Sequence, residues 1–309
     1  MLVGHVEELW RFPVKSMAGE SLSDASISSQ GLLGDRCWAL RDERADEMTN
    51  GKRLPVLMQC TARYRKEPNA GEVAHVEMAL PDGTRVASDD VQVNEQLSRL
   101  VGKPVSLWPL KPASDEKHYR RRDGAARIVG ALSRSSTFRA LYPTVLRVLK
   151  LEDRVREEFG RAPDEPYPDL MQLPREVISF TTPPGTYFDA FPVHLLTTAS
   201  LDELRRRNPN PDWDRRRFRP NFFIRTTSEW TGFVETSWGG RELQVGTAIL
   251  KIEVPAPRCS MTMSAQPDLP KDPAVLRTIV REASQNLGMY ATVRTPGTAR
   301  VGDGVVLLA

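Results

Sequence analysis

The chain of 309 residues has only three cysteines, Cys37, Cys60 and Cys259. They are too few and too scattered for a disulfide framework, or for a zinc or iron–sulfur site built on paired spacing. Four histidines, His5, His75, His118 and His194, are present, none beside a nucleophile-elbow sequence, so Ser/His catalysis finds little support. Neither a Walker loop nor a GxGxxG stretch occurs, which argues against nucleotide-dependent chemistry. No run approaches the roughly 18–20 apolar residues of a membrane span. The opening MLVGHVEELWRF also lacks the basic-then-apolar build of a secretory signal. The expectation is a soluble, cytoplasmic protein without a membrane partner.

Charge of one sign is also lacking: the net value is +3, too close to balance to argue for nucleic acid. Basic residues do concentrate between Asp115 and Arg161, twelve against seven acidic ones. Arg120, Arg121 and Arg122 would be the footprint of a nucleic-acid surface, but aromatic residues are sparse around them, which argues against it. With 27% charged and 40% hydrophobic residues the composition is that of an ordinary globular protein, and the length suits two compact units.

Up to about Leu110 short apolar runs alternate with Gly, Pro, Asn and Asp: VEELWRF, LSDASIS, CWALRD, VLMQCTARY, VAHVEMAL and PVSLWPL. Their length and regular spacing predict strands of a barrel or sandwich. Residues 111–184 differ, being richer in Arg and Pro. There, Val145, Val148, Leu149, Val155 and Phe159 recur at helical spacing between Pro143 and Gly160, which predicts a helical insertion. From residue 185 strands return in NFFIRT, ELQVG, AILKIEVP, YATVRT and VGDGVVLL, with two helices. The first begins near Ser200, which with Glu203 has capping-box spacing. The second runs from Pro273, with Asp272 as N-cap, to Gly288. The fold class is therefore α+β and β-rich, divided as 1–110, 111–184 and 185–309.

Candidate chemistry is scattered. Cys259 follows the strand AILKIEVP in a loop and has Arg258 beside it, which favours thiolate over thiol. Taken alone it reads first as a small buried hydrophobe. Cys37 and Cys60 lie in strand-like patterns and read as core. Cations, combined with polar groups, that suit an anion stand in FPVKS (Lys15 with Ser16), GLLGDR (Arg36 with Asp35) and RRRFRPNF (Arg215, Arg216, Arg217 and Arg219 with Asn221). Each taken singly reads as well as a turn or a solvated face. His194 reads as a packed core histidine.

The order FPVKS, GLLGDRCWAL, FPVHLLTTASL, RRFRPNF, PRCSMT, NLGMY and VGDGV resembles that of MOSC-domain proteins preceded by a MOSC N-terminal β-barrel domain. The resemblance covers about residues 1–110 and 185–309. It implies an N-terminal β-barrel-like domain followed by a MOSC β-barrel with flanking helices. The family includes the mitochondrial amidoxime-reducing component and bacterial reductases of N-hydroxylated compounds.

The resemblance implies a molybdenum cofactor (Mo-molybdopterin) with Cys259 as metal ligand and catalytic centre. It also implies that Lys15, Ser16, Arg36, Ser200, Arg219, Asn221, Arg258 and Tyr290 hold the pterin and its phosphate. A soft thiolate suits such a metal. The expected activity is removal of oxygen from a small N-oxygenated substrate. The alternative is a carrier that holds molybdenum cofactor or sulfur on the same cysteine. The chain ends at VGDGVVLLA without a cysteine-rich ferredoxin domain. Electrons are therefore expected from a separate donor protein of the ferredoxin or flavin reductase type.

Overall fold

The computed structural model describes residues 1–69, 71–122, 144, 148, 152–166, 168 and 172–308. Its strands are β1 (Leu2–Arg11), β2 (Glu20–Leu22), β3 (Asp24–Ser28), β4 (Gly31–Leu32), β5 (Trp38–Asp42), β6 (Glu47–Met48), β7 (Thr61–Tyr64), β8 (Val76–Ala79), β9 (Arg85–Ala87) and β10 (Val105–Pro109). They continue as β11 (Val193–Thr197), β12 (Phe222–Thr226), β13 (Glu242–Val245), β14 (Ala248–Pro257), β15 (Asn286–Thr295), β16 (Gly297–Arg300) and β17 (Gly304–Leu307). The helices are α1 (Val93–Val101), α2 (Glu116–Tyr119), α3 (Glu152–Phe159), α4 (Glu176–Ser179), α5 (Thr198–Arg207) and α6 (Pro273–Glu282).

Seven strands close a barrel in the order β12, β11, β15, β14, β13, β17 and β1, with β1 pairing back onto β12. Only β11 and β12 run parallel, and α5 is the crossover such a pair requires. Period-two alternation sorts the side chains. Val193 and Leu195 of β11, with Phe222 and Ile224 of β12, fill the interior around Trp238. Leu196 and Phe223 point outward and pack under Leu201 and Leu204 of α5 and Val275 and Ile279 of α6. The first strand of the chain is thus a stave of the C-terminal barrel, held by Leu9↔Phe222 on one side and His5↔Gly304 on the other.

A second core lies in the N-terminal half, where Val14, Met17, Leu40, Leu57, Cys60, Met78 and Leu97 are buried among β5, β7–β10 and α1. The chain is α+β and β-rich, as expected. Among the described residues no helix is long and apolar enough to cross a membrane.

Local readings differ in five places. VLMQCTARY is not one strand, because Pro55–Gln59 forms a 3-10 turn started by Pro55 and only Thr61–Tyr64 is extended. The helix α1, closed by Gly102 at φ 72°, was not expected. The first C-terminal helix begins at Thr198, not Ser200: Thr197 is its N-cap and accepts from the Ser200 amide at 3.2 Å. The second keeps its Asp272 cap but ends at Glu282, and Leu287 and Gly288 belong to β15. In the insertion, helix is found at Thr144, Val148 and Glu152–Phe159; Pro143, Val145 and Leu149 lie outside the described residues. Of the apolar residues at helical spacing there, Val148 is 73% exposed, whereas Val155 and Phe159 are half-buried.

Candidate functional site

Strand β14 ends at two prolines, Pro255 and Pro257, where its pairing with β15 loses register. A proline supplies no ladder donor, so the chain leaves the sheet there. Cys259 follows in an extended conformation as the cap of a 3-10 turn, Ser260–Met263, with its carbonyl accepting from the Thr262 amide at 3.1 Å and the Thr262 hydroxyl at 2.9 Å. The turn pins the backbone on both sides of a half-buried free thiol.

Arg258 turns the other way, into the protein. Its Nε donates to the Leu287 carbonyl at 2.9 Å, Nη1 donates to the Phe218 carbonyl at 3.3 Å, and Nη2 contacts His194 Nε2 and the Leu287 carbonyl. Burial, then the neighbouring Arg258 charge, pushes His194 far below the usual imidazole value, so it is neutral and accepts from Arg258. Gly288 permits this packing: at φ +75° it lets β15 lie where any Cβ would strike the Leu195 carbonyl and His194 Nε2. Tyr290, two residues on, packs at 5.4 Å against Phe191 and edge-on to His194 at 5.7 Å, and burial raises its pKa.

The N-terminal half brings cations to the same place. Lys15 Nζ is buried and donates to the Tyr187 carbonyl at 2.9 Å and to Asp189 Oδ1 at 2.5 Å. Burial opposes the Asp189 charge, yet Lys15 and Lys52 outweigh it and hold the carboxyl well below the usual range. Ser16 accepts from the Gly51 amide at 2.7 Å. Arg36 pairs with buried Asp35 and lies 5.2 Å from the Phe12 ring centroid. Arg219 lies 4.2 Å from the same ring's centroid, and its Nη1 donates to the Met17 carbonyl at 2.5 Å. Burial, reinforced by Arg36, brings Arg219 down to about 9. Its Nη2 is buried without a hydrogen-bond partner.

Ser16, Arg36 and Arg219 all have left-handed backbones, with φ of 71°, 52° and 54°. A non-glycine residue held there costs about 1–3 kcal/mol. Three in one cluster mark a place where side-chain direction outranks local stability.

The insertion supplies the remaining wall. Arg161 Nη2 donates to the Arg258 carbonyl at 2.8 Å, and Ser260 Oγ donates to the Glu158 carbonyl at 3.4 Å. Lys52 Nζ stands 3.7 Å from Glu158 and 4.3 Å from the centroid of the Phe159 ring. Helix α3 therefore packs beside Cys259.

Of the residues singled out in the sequence, Cys259, Lys15, Ser16, Arg36, Arg219 and Tyr290 come together. Asn221 and Arg258 lie beneath them as supports. Asn221 is fully buried and spends its side chain on the His194 amide, the Trp10 carbonyl and Asp35, at 3.1, 3.2 and 3.1 Å. Ser200 is not brought to the cluster. It sits beyond the far end of β11 from His194, its hydroxyl donating to buried Glu235 at 2.6 Å.

Lys52, Asp189, Phe191 and Arg161 join the site without having been singled out. Cys37 and Cys60 belong to the N-terminal core. Burial raises both thiols, Cys60 to about 12. Among the described residues no group of three or more His, Cys, Asp or Glu could hold a metal.

Fold and site define a class: a β-rich protein of two cores with a free cysteine at a barrel edge, ringed by cations from both. The chain belongs to the MOSC-domain family: residues 183–306 match the MOSC domain and residues 3–110 the MOSC N-terminal beta barrel domain. It is 26% identical to mitochondrial amidoxime-reducing component 1 of Mus musculus over 99% of this chain and 83% of that protein. It is also 26% identical to mitochondrial amidoxime reducing component 2 of Bos taurus over 98% of this chain and 83% of that protein. Among solved structures, YiiM from Geobacillus stearothermophilus aligns over 38% of this chain and 55% of its own, at 21% identity and a TM-score of 0.28.

Proposed function

We propose that the protein is a molybdenum-cofactor-dependent reductase of N-hydroxylated compounds, with Cys259 as the protein's ligand to the metal. The names of its relatives support the reaction class. The observation that carries the cofactor is Arg219, a buried guanidinium with an orphaned Nη2 that shares the Phe12 ring with Arg36. An unpaired buried donor costs about 1–3 kcal/mol, more when charged, and an anionic ligand removes that cost. The residues present fit such a group.

Lys15, Ser16, Arg36 and Arg219 would hold the phosphate and pterin, Tyr290 would flank the ring system, and the Cys259 thiolate would bind the metal through a soft sulfur. Arg258, Asn221 and His194 act beneath them, fixing the Cys259 backbone and the Asp35–Arg36 turn. When bound, the cofactor supplies two-electron chemistry at oxygen. The substrate balance is RNHOH plus two electrons and two protons, giving RNH2 and water. The electrons come from a separate donor protein in this reading.

The test is turnover of benzamidoxime by protein made in a host that synthesises molybdenum cofactor. Reduction with reduced methyl viologen is expected, and none with NADH alone. Metal-loaded protein that fails to reduce benzamidoxime and simple hydroxylamines would overturn the proposal, and turnover with NADH alone would overturn the separate donor.

A further inference from the structure

The cations around Cys259 differ in how much of their hydrogen-bonding capacity is already used. Lys15 is committed to Tyr187 and Asp189, and Arg258 to two carbonyls and His194. Arg161 is committed to the carbonyls of Arg258 and Phe159 and to Gln285. Lys52 is different. Its ammonium has three donors, yet its contacts are an ion pair at 3.7 Å with Glu158 and the face of Phe159 at 4.3 Å, neither of them a hydrogen bond. The side chain is 16% exposed.

Lys52 also reaches the outside. It lines a cavity of about 730 Å³ bounded on the insertion side by Glu157 and Glu158. The other described cations of that cavity are paired: Arg53 with Glu47 at 3.0 Å, Lys103 with Asp42 at 2.6 Å and Arg122 with Asp46 at 2.7 Å. Lys15 and Arg219 are more than nine-tenths buried and do not line it. Lys52 therefore lines an open cavity beside Glu158, whose carbonyl bonds Ser260 next to the cysteine, and among the described residues it is the cation there whose side chain has no hydrogen-bonded acceptor.

We infer that Lys52, seated by Glu158 and Phe159 of α3, is the residue that recognises the substrate, and that it selects N-hydroxylated compounds carrying a carboxylate. The inference rests on the reductase reading for its reaction, but not for its binding. An ammonium with unused donors in a half-buried setting favours a carboxylate over a neutral group, since a charge-assisted hydrogen bond is roughly twice as strong as a neutral one.

The experiment compares wild type, Lys52→Met and Lys52→Arg as holoproteins. The ratio of kcat/KM for 4-carboxybenzamidoxime to that for benzamidoxime is expected to exceed one in wild type. It should fall at least tenfold in Lys52→Met and recover in part in Lys52→Arg. Calorimetry with the non-reducible pair 4-carboxybenzamide and benzamide should show the same loss of preference. Pterin and molybdenum contents should stay at the wild-type level. An unchanged ratio, or loss of pterin in Lys52→Met, would overturn the inference, the second by making Lys52 an anchor for the cofactor. If wild type reduces neither amidoxime nor simple hydroxylamines, the reductase reading falls and the calorimetry alone decides Lys52. In that case equal affinities for the two benzamides in wild type and Lys52→Met would overturn it.

Discussion

Gly288→Ala separates two costs that the fold combines at one backbone position. Gly288 has φ +75°, and a Cβ there would lie well under 3.0 Å from the Leu195 carbonyl oxygen and 2.5 Å from His194 Nε2. The left-handed backbone costs an alanine about 1–2 kcal/mol. Forcing a methyl into filled space adds about 1–3 kcal/mol. Reduced freedom of the unfolded chain returns about 0.4–1 kcal/mol. The net loss is then roughly 2–4 kcal/mol, a fall in Tm of about 4–8 °C at about 2 °C per kcal/mol for a protein of this size. Gly102 is the control, because its φ of +72° is nearly the same and nothing lies within 4 Å of its Cβ position. Gly102→Ala should lose about 1 kcal/mol or less. Urea unfolding and thermal denaturation of both variants measure the difference. Equal losses would refute the steric part of the reasoning, and with it the idea that β15 is pressed onto His194 to seat Arg258.

Ser200→Ala should destabilise the fold by about 1–3 kcal/mol, since it removes a donor to a buried carboxylate. It should leave pterin content unchanged in an extraction assay, because Ser200 stands away from the cluster. His194 has a depressed folded pKa, so below about pH 6.5 the unfolded chain takes up a proton that the folded chain refuses. Stability is then full above pH 6.5 and falls as pH drops below it, by up to about 1.4 kcal/mol per pH unit. The difference in urea midpoint between pH 7.5 and pH 5.5 should shrink in His194→Gln. Arg277 grips the insertion from α6 through buried Glu165 and the Gly160 carbonyl. Arg277→Leu should cost roughly 3–5 kcal/mol by stranding that carboxylate, and trypsin should then cut at Arg156 or Arg161 in limited proteolysis.

The strands and the two C-terminal helices were legible because half-buried strands alternate and Asp272 ahead of Pro273 is a strong helix start. The start of α5 was misread because two hydroxyls compete: Ser200 has the capping-box partner Glu203, but Thr197 sits where the strand ends and takes the cap. The role of β1 as a barrel stave was hidden, since pairing across more than two hundred residues leaves no local pattern. The site divides the same way. Lys15, Arg36, Arg219 and Cys259 stood out through short motifs. Lys52, Asp189 and Arg161 come from unrelated loops that meet only in the fold. Arg258 and Asn221 have the right chemistry for an anion, but the direction in which a side chain points was not readable.

The central claim is that Cys259 alone among the cysteines binds the metal, and the direct measurement is molybdenum, pterin and benzamidoxime reduction on the same preparations of Cys37→Ala, Cys60→Ala and Cys259→Ala. Cys259→Ala is expected to lose reductase activity while keeping pterin, because Lys15, Arg36 and Arg219 are intact. Cys37→Ala and Cys60→Ala are expected to keep activity per folded molecule, as both thiols lie in the N-terminal core. Full activity in Cys259→Ala, or loss confined to Cys37→Ala or Cys60→Ala, would contradict the account.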